Sequence, residues 1–151
     1  MAIVQTATTS FKVELFQAVH NFGPTSPDTF KIALYTSLAS IGYATTAYDV
    51  GLTGQVANGS GYTTGGNTLT ISVSPVATNN STGVPTAYFS FQNSDWPNSS
   101  FTARGALIYN SSKSNKSVAV LDFQANLTTD NDTFTVIFPT PDANNAIVRI
   151  S

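Results

Sequence analysis

Strict alternation of apolar and polar side chains is the feature that most constrains this chain. In TLTISVSPV (68–76), Leu69, Ile71 and Val73 alternate with smaller polar residues. A period of two places successive side chains on opposite faces of a β-strand. The pattern recurs, with turn residues between, in segments 29–37, 68–76, 86–92, 101–110, 117–123, 132–139 and 146–150. Regularly punctuated short strands predict a mostly β protein, an antiparallel β-sandwich or jelly-roll-like domain.

One segment, TSFKVELFQAVHNF (9–22), has a helical period instead. Its apolar residues recur at the spacing of one buried stripe and are Phe11, Leu15, Phe16, Val19 and Phe22. Ser10 is the expected N-cap, and Gly23 and Pro24 are expected to end the helix because proline cannot continue it. The sequence therefore predicts one N-terminal α-helix over residues 9–22.

The length of 151 residues suits a single domain with a substantial core. We expect residues 9–151 to form that β-rich domain and residues 1–8 to be an N-terminal arm, either ordered by a neighbour or frayed. The connection 38–67 is long, poor in periodicity and rich in Gly, Thr and Tyr. Long loops are often functional, and this one is expected to be a contact surface.

Composition argues against several classes of function. Charged residues make up 9% of the chain, against about 25% in typical soluble domains. The six basic residues are scattered and the net charge is −2, which is unfavourable for nucleic-acid binding. No apolar run approaches the roughly 20 residues of a membrane-spanning helix, and MAIVQTATTSF does not resemble a secretory signal. A neutral polar surface suits a protein that stands outside a cell or in an assembly.

The stretch GSGYTTGGNTLT (59–70) poses the question of a phosphate-binding loop. A P-loop requires a lysine after its glycines and a helix after the loop, whereas Gly65-Gly66 is followed by Asn67 and a predicted strand. The glycines are instead expected to supply the positive φ angles of a tight turn that leads into strand 68–76.

No residues are predicted to be catalytic, to bind a cofactor or to bind a metal. The chain has no cysteine and a single histidine, His20, which the helix prediction places in the last helical turn. Asp130 and Asp132 resemble part of a calcium loop but lack its glycine and distal glutamate. A glycan-cleaving enzyme stays open, because it needs two carboxylates at a set distance in space that sequence does not reveal.

Arg104 lies within the apolar segment FTARGALIYN, where an unpaired charge would be costly. It is expected either to face solvent or to form a structural ion pair with Asp95 or Asp122. Such a pair more often fixes local geometry than it catalyses a reaction.

The succession of segments is more specific than any one of them. The order SFKVELFQAVHNF, DTFKIALYTS, TTAYDV, GYTTGGNTLT, FTARGALIYN, VAVLDF and DTFTVIFP, from about residue 10 to 150, resembles a family of small virion structural proteins of tailed bacteriophages. The resemblance implies a non-enzymatic protein of the virion, made in the host cytoplasm and without a cofactor. Its favoured role is capsid decoration or cement, as a homo-oligomer that binds and stabilises the major capsid protein lattice.

Aromatic residues in predicted loops are the candidate partner contacts. They are Tyr43, Tyr48, Tyr62 and Trp96. Tyrosine and tryptophan dominate the energetics of many interfaces. The alternative role, a host-adhesion or carbohydrate-binding module of a tail or fibre, would use the same rings to stack on sugars. Ordinary core packing is the other interpretation of each residue.

Overall fold

The protein is mostly β, with antiparallel sheets and one short helix near its N-terminus, as the sequence predicts. A computed structural model describes residues 2–151. Its elements are β1 (Thr6–Ala7), α1 (Thr9–Phe16), β2 (Phe30–Tyr35), β3 (Asn67–Leu69), β4 (Ile71–Asn79), β5 (Pro85–Phe91), β6 (Ser94–Ser99), β7 (Thr102–Asn110), β8 (Lys116–Thr128), β9 (Asp132–Val136) and β10 (Val148–Ile150), with a 3₁₀ turn at Ser111–Lys113.

Three sheets form two layers around the main core. One layer is a five-stranded sheet of order β1-β8-β7-β2-β3; the other contains a three-stranded sheet, β10-β5-β4, and the pair β6-β9. The inward-facing side chains of both layers meet in one apolar cluster, in a sandwich-like arrangement. Its large members include Phe30, Ile32, Ile108, Phe89, Phe91, Trp96, Phe134 and Phe138.

The long connection 38–67 covers the other face of the five-stranded sheet. Its Ala39, Ile41 and Tyr48 join a second apolar cluster with residues of the sheet, among them Tyr35 and Tyr109. The central strands β2 and β7 are therefore buried on both faces, which explains their nearly continuous burial. Much of the segment predicted to be a contact surface is thus a second core layer.

The helix is shorter than predicted. It begins after Thr8, whose hydroxyl accepts a hydrogen bond from the Phe11 amide, so Thr8 rather than Ser10 is the N-cap. It ends at Phe16, because Ala18 adopts a left-handed φ of 54°. The amides of Ala18 and Val19 donate to the carbonyls of Leu15 and Glu14, which is the Schellman pattern of a helix end. The prediction of a helix over 9–22 was wrong at its C-terminal end. The left-handed residue that ends a helix is usually glycine, and here it is Ala18, which the sequence does not mark as a helix end.

The strand pattern differs from the prediction at a few places. The predicted strand 68–76 is two strands, β3 and β4, separated at Thr70. The SDWPNS sequence of β6 contains Pro97 and Asn98, which are typical of turns, yet the segment that was expected to place Trp96 in a loop is a strand that pairs with β9. The sequence also gave no indication of the two-residue strand β1.

Residues 2–8 lie within the domain, contrary to the expected arm; Met1 of that arm lies outside the described residues. Ile3 forms a parallel bridge with Ile41, and β1 pairs with β8. Thr8 is buried, with its hydroxyl 2.8 Å from that of Ser117. Backbone pairing with β8 and with Ile41 of the long connection is thus what holds this segment.

Candidate functional site

Three of the four aromatic residues proposed as partner contacts are buried. Tyr48, Tyr62 and Trp96 are almost inaccessible, whereas Tyr43 is 65% exposed. The prediction that they offer contact surface is therefore wrong for the three buried rings. Each fills the interior that its loop or strand helps to form.

The buried tyrosines are fixed by hydrogen bonds and stacking. The Tyr62 hydroxyl accepts from the Leu34 amide and from Gln55 Nε2, each at 3.0 Å. The Tyr48 ring stacks on Tyr109 with centroids 4.4 Å apart. Burial raises the pKa of Tyr62 despite these two hydrogen bonds, which keeps its hydroxyl neutral. These contacts anchor the long connection to the sheet.

The predicted ion pair of Arg104 forms with Asp122. The guanidinium donates from Nε to Oδ1 at 2.9 Å and from Nη2 to Oδ2 at 3.3 Å, across neighbouring strands. The hydrogen bond from Arg104 lowers the pKa of Asp122. Asp95, the other predicted partner, accepts from the Thr135 hydroxyl at 2.7 Å instead. The pair is partly exposed and bidentate, which suits a role in strand geometry.

His20 lies beyond the helix, with its side chain fully enclosed. Its Nε2 is 2.8 Å from Glu14 Oε2, and its Nδ1 is 2.9 Å from Asn110 Nδ2. The amide of Asn110 is oriented by two further bonds, from Nδ2 to Asp28 and from the Ser112 amide to Oδ1. Because an amide nitrogen only donates, Nδ1 accepts and the Nε2 proton is directed at Glu14.

Glu14 completes this network and was not singled out by its sequence position. It is buried on α1 and accepts from Lys116 Nζ at 2.6 Å as well as from His20. Burial would raise the pKa of Glu14, but the hydrogen bonds from Lys116 and His20 outweigh it and hold the pKa below its usual value. The network ties α1 to β7 and β8, and it is enclosed at His20 but reaches the surface at Lys116.

The remaining sequence candidates have structural surroundings. Gly65 and Gly66 have φ angles of +91° and +72° directly before β3, which confirms the predicted turn. The Asp132 carboxylate accepts from the Thr133 amide. Among residues 2–151, no group of three or more histidine, aspartate or glutamate side chains is arranged to hold a metal ion.

The most distinctive surface is a cleft bordered by α1, β1 and β10, here called the edge cleft, and its part beside α1 is apolar. Phe16 is 95% exposed at its rim, and Ile150 is also exposed. Two adjoining cavities, of ≈ 500 and ≈ 310 Å³, form the cleft and share Ala7, Val148 and Arg149. The helical stripe predicts a buried Phe16, and the sequence therefore does not indicate the cleft.

A second groove, of ≈ 620 Å³, lies between the start of the long connection and the N-terminal segment. Exposed Tyr43 lines it together with polar residues that include Ser40, Thr45 and Asp49. An exposed ring beside hydroxyl and carboxylate groups is an arrangement that can bind a polar ligand with a flat face.

Comparison with family models, with curated proteins and with solved structures finds no match to this chain. Within the part of the chain that the structure describes, no helix is long and apolar enough to cross a membrane.

Proposed function

We propose that the protein is a non-enzymatic structural component of a bacteriophage virion, and that it decorates or cements the capsid by binding the major capsid protein lattice as a homo-oligomer. The ordered sequence segments that resemble virion proteins support this role. A weakly charged, polar surface is compatible with it, because such a surface can contact a repeating lattice without large desolvation costs.

The observation that carries the proposal is the edge cleft. Phe16 on α1 and Ile150 on β10 line it and are large apolar side chains exposed in the isolated chain. Clustered exposed apolar residues with a polar surround mark surfaces that bind other proteins. Weak contacts of this kind gain strength when many copies bind one lattice.

The test is a count of copies in purified particles. A cement protein is expected at a number that matches the capsid lattice, and particles that lack it are expected to release their genome at lower temperature. A few copies per particle, or unchanged heat resistance without the protein, would contradict the cementing role.

Tyr43 supports a second candidate, a carbohydrate-binding module on a tail or fibre. Its exposed ring beside polar residues suits stacking on a sugar, unlike the buried Trp96. A glycan array is expected to detect binding that Tyr43→Ala removes and Tyr43→Phe retains, because phenylalanine keeps the stacking face. An array without binding to the unmodified protein counts against this candidate.

A further inference from the structure

Two free sheet edges face each other across the edge cleft. β1 is an edge strand of the five-stranded sheet, and β10 is an edge strand of the three-stranded sheet. Ala7 of β1 and Val148 and Arg149 of β10 line both cavities of the cleft. The sandwich is therefore open along this side.

A free strand edge presents backbone N–H and C=O groups that an added strand can pair with. Beside the β10 edge lie the apolar side chains of Leu15, Phe16 and Ile150. Together these features provide main-chain hydrogen bonding and pockets for alternate side chains of an extended segment.

The charges of the cleft favour an acidic occupant. Lys12 and Arg149 line it, and neither forms an ion pair with another of the described residues. Arg149 donates to the Asn144 carbonyl, and Asp142 acts on it only at longer range. A carboxylate on the occupant would give both cations an opposite charge.

We infer that the edge cleft binds an extended segment of another protein, which adds to β10 as an antiparallel or parallel strand. The segment alternates apolar and polar residues, seats its apolar side chains against Phe16, Leu15 and Ile150, and carries Asp or Glu facing Lys12 and Arg149. The inference rests on the proposed function only for the source of the segment, a neighbouring virion protein.

A second copy of β10 fits the cleft poorly. Antiparallel pairing of two copies about Arg149 would place two arginines opposite each other, and like charges at directly opposed positions are destabilising. Homo-oligomers are therefore expected to form through another surface.

The probe is a displayed library of random peptides of about twelve residues, selected on the purified full chain. Enriched peptides are expected to alternate apolar and polar residues and to contain Asp or Glu. Their binding is expected to weaken at least about tenfold in Phe16→Ser, because the apolar ring that the peptide would bury is lost. Ile137→Ser removes an exposed apolar residue that does not line the cleft and is expected to leave binding unchanged.

Charge reversal and hydrogen exchange identify the mode of binding. Arg149→Glu is expected to weaken the binding of the acidic peptides. It is expected to bind the same peptides more tightly when Lys replaces their acidic residue. The amides of residues 148–150 are expected to exchange more slowly when peptide is bound. Thermal unfolding of each variant verifies that it is folded.

Three results would overturn the inference: no enriched peptide whose binding depends on Phe16, no protection at residues 148–150, or self-association that Phe16→Ser abolishes. Peptide binding is measured on the isolated protein, so it is independent of the particle count. A protein that is absent from capsids but binds the peptides would contradict the virion role alone.

Discussion

Gly66 shows how one residue constrains the path of the chain. It has a φ of +72°, and a Cβ added there would overlap the carbonyl oxygen of Ile32 in the neighbouring strand. Gly59, in the same glycine-rich stretch, also has a positive φ but has open space around the position of a Cβ. Backbone conformation requires glycine at both positions, and close packing requires it only at Gly66.

Gly66→Ala is therefore expected to destabilise the protein far more than Gly59→Ala. Gly59→Ala should lower the unfolding free energy by about 1–2 kcal/mol, which is the cost of placing alanine at a positive φ without any clash. Gly66→Ala adds a backbone clash and should lower the unfolding free energy by at least about 3 kcal/mol. Chemical denaturation measures both values; equal losses would contradict the close approach to Ile32.

The buried carboxylate of Glu14 should make stability depend on pH. Its pKa is lower in the folded state than in the unfolded state, so the ionised form stabilises the fold above about pH 4.5 and this contribution is lost as the pH falls. Glu14→Gln should lower the unfolding free energy by about 1–3 kcal/mol at neutral pH. The difference in unfolding free energy between Glu14→Gln and the unmodified protein should shrink below about pH 4.5.

Denaturation at several pH values measures this difference. Asp130→Asn, which neutralises an exposed turn carboxylate, is the control and should have little effect at any pH. A difference between Glu14→Gln and the unmodified protein that widens in acid would contradict the role given to the Lys116 and His20 hydrogen bonds.

At the scale of elements, the end of α1 decides which apolar residues reach the core. Because the helix stops at Phe16, the chain turns and carries Phe22 back into the core, where it stacks on Phe30 and Phe89. Phe16 is left on the surface by the same turn. A helix that continued to residue 22 would not separate these two rings in this way.

Ala18→Gly is expected to stabilise the protein by about 1 kcal/mol, because glycine adopts the left-handed conformation without the penalty that alanine has. A glycine introduced inside the helix by Val13→Gly should instead be destabilising. Thermal and chemical unfolding compare the two. Loss of stability in Ala18→Gly would contradict the Schellman termination.

The Tyr62 hydroxyl adds to the backbone hydrogen bonds that attach the long connection to β2. Tyr62→Phe leaves the amide of Leu34 and Nε2 of Gln55 without their acceptor and should cost about 1–3 kcal/mol. Tyr43→Phe removes the hydroxyl of an exposed ring and should be neutral. Equal stability of the two variants in chemical denaturation would show that the Tyr62 hydroxyl does not contribute to this attachment.

At the scale of the whole molecule, the long connection covers one outer face of the sandwich, whereas the side at the edge cleft is open. If that cleft is the capsid contact, Phe16→Ser should reduce incorporation into particles at least about tenfold, whereas Ile137→Ser should be incorporated normally. Quantitative mass spectrometry of particles assembled with each variant measures this. Equal incorporation would exclude Phe16 from the contact.

Sequence reasoning succeeded where the signal is local and periodic. The β class, most strands, the Gly65-Gly66 turn and a partner for Arg104 followed from alternation, glycine and the cost of a buried charge. It failed for Trp96 and β6, because Pro97 and Asn98 are typical of turns and only pairing with β9 makes the segment a strand. The prediction of the helix end was wrong for a similar reason, because the alanine at position 18 does not indicate a left-handed residue.

The candidate site was less predictable, because it depends on contacts between residues far apart in sequence. Alternating side chains and turn residues by themselves determined a mostly β protein, since both act over a few neighbouring positions. Only the tertiary structure decided that Tyr48, Tyr62 and Trp96 are buried and that Phe16 is exposed. It alone also brought β1 and β10, from opposite ends of the chain, to one cleft, because burial and sheet edges are properties of the packed layers.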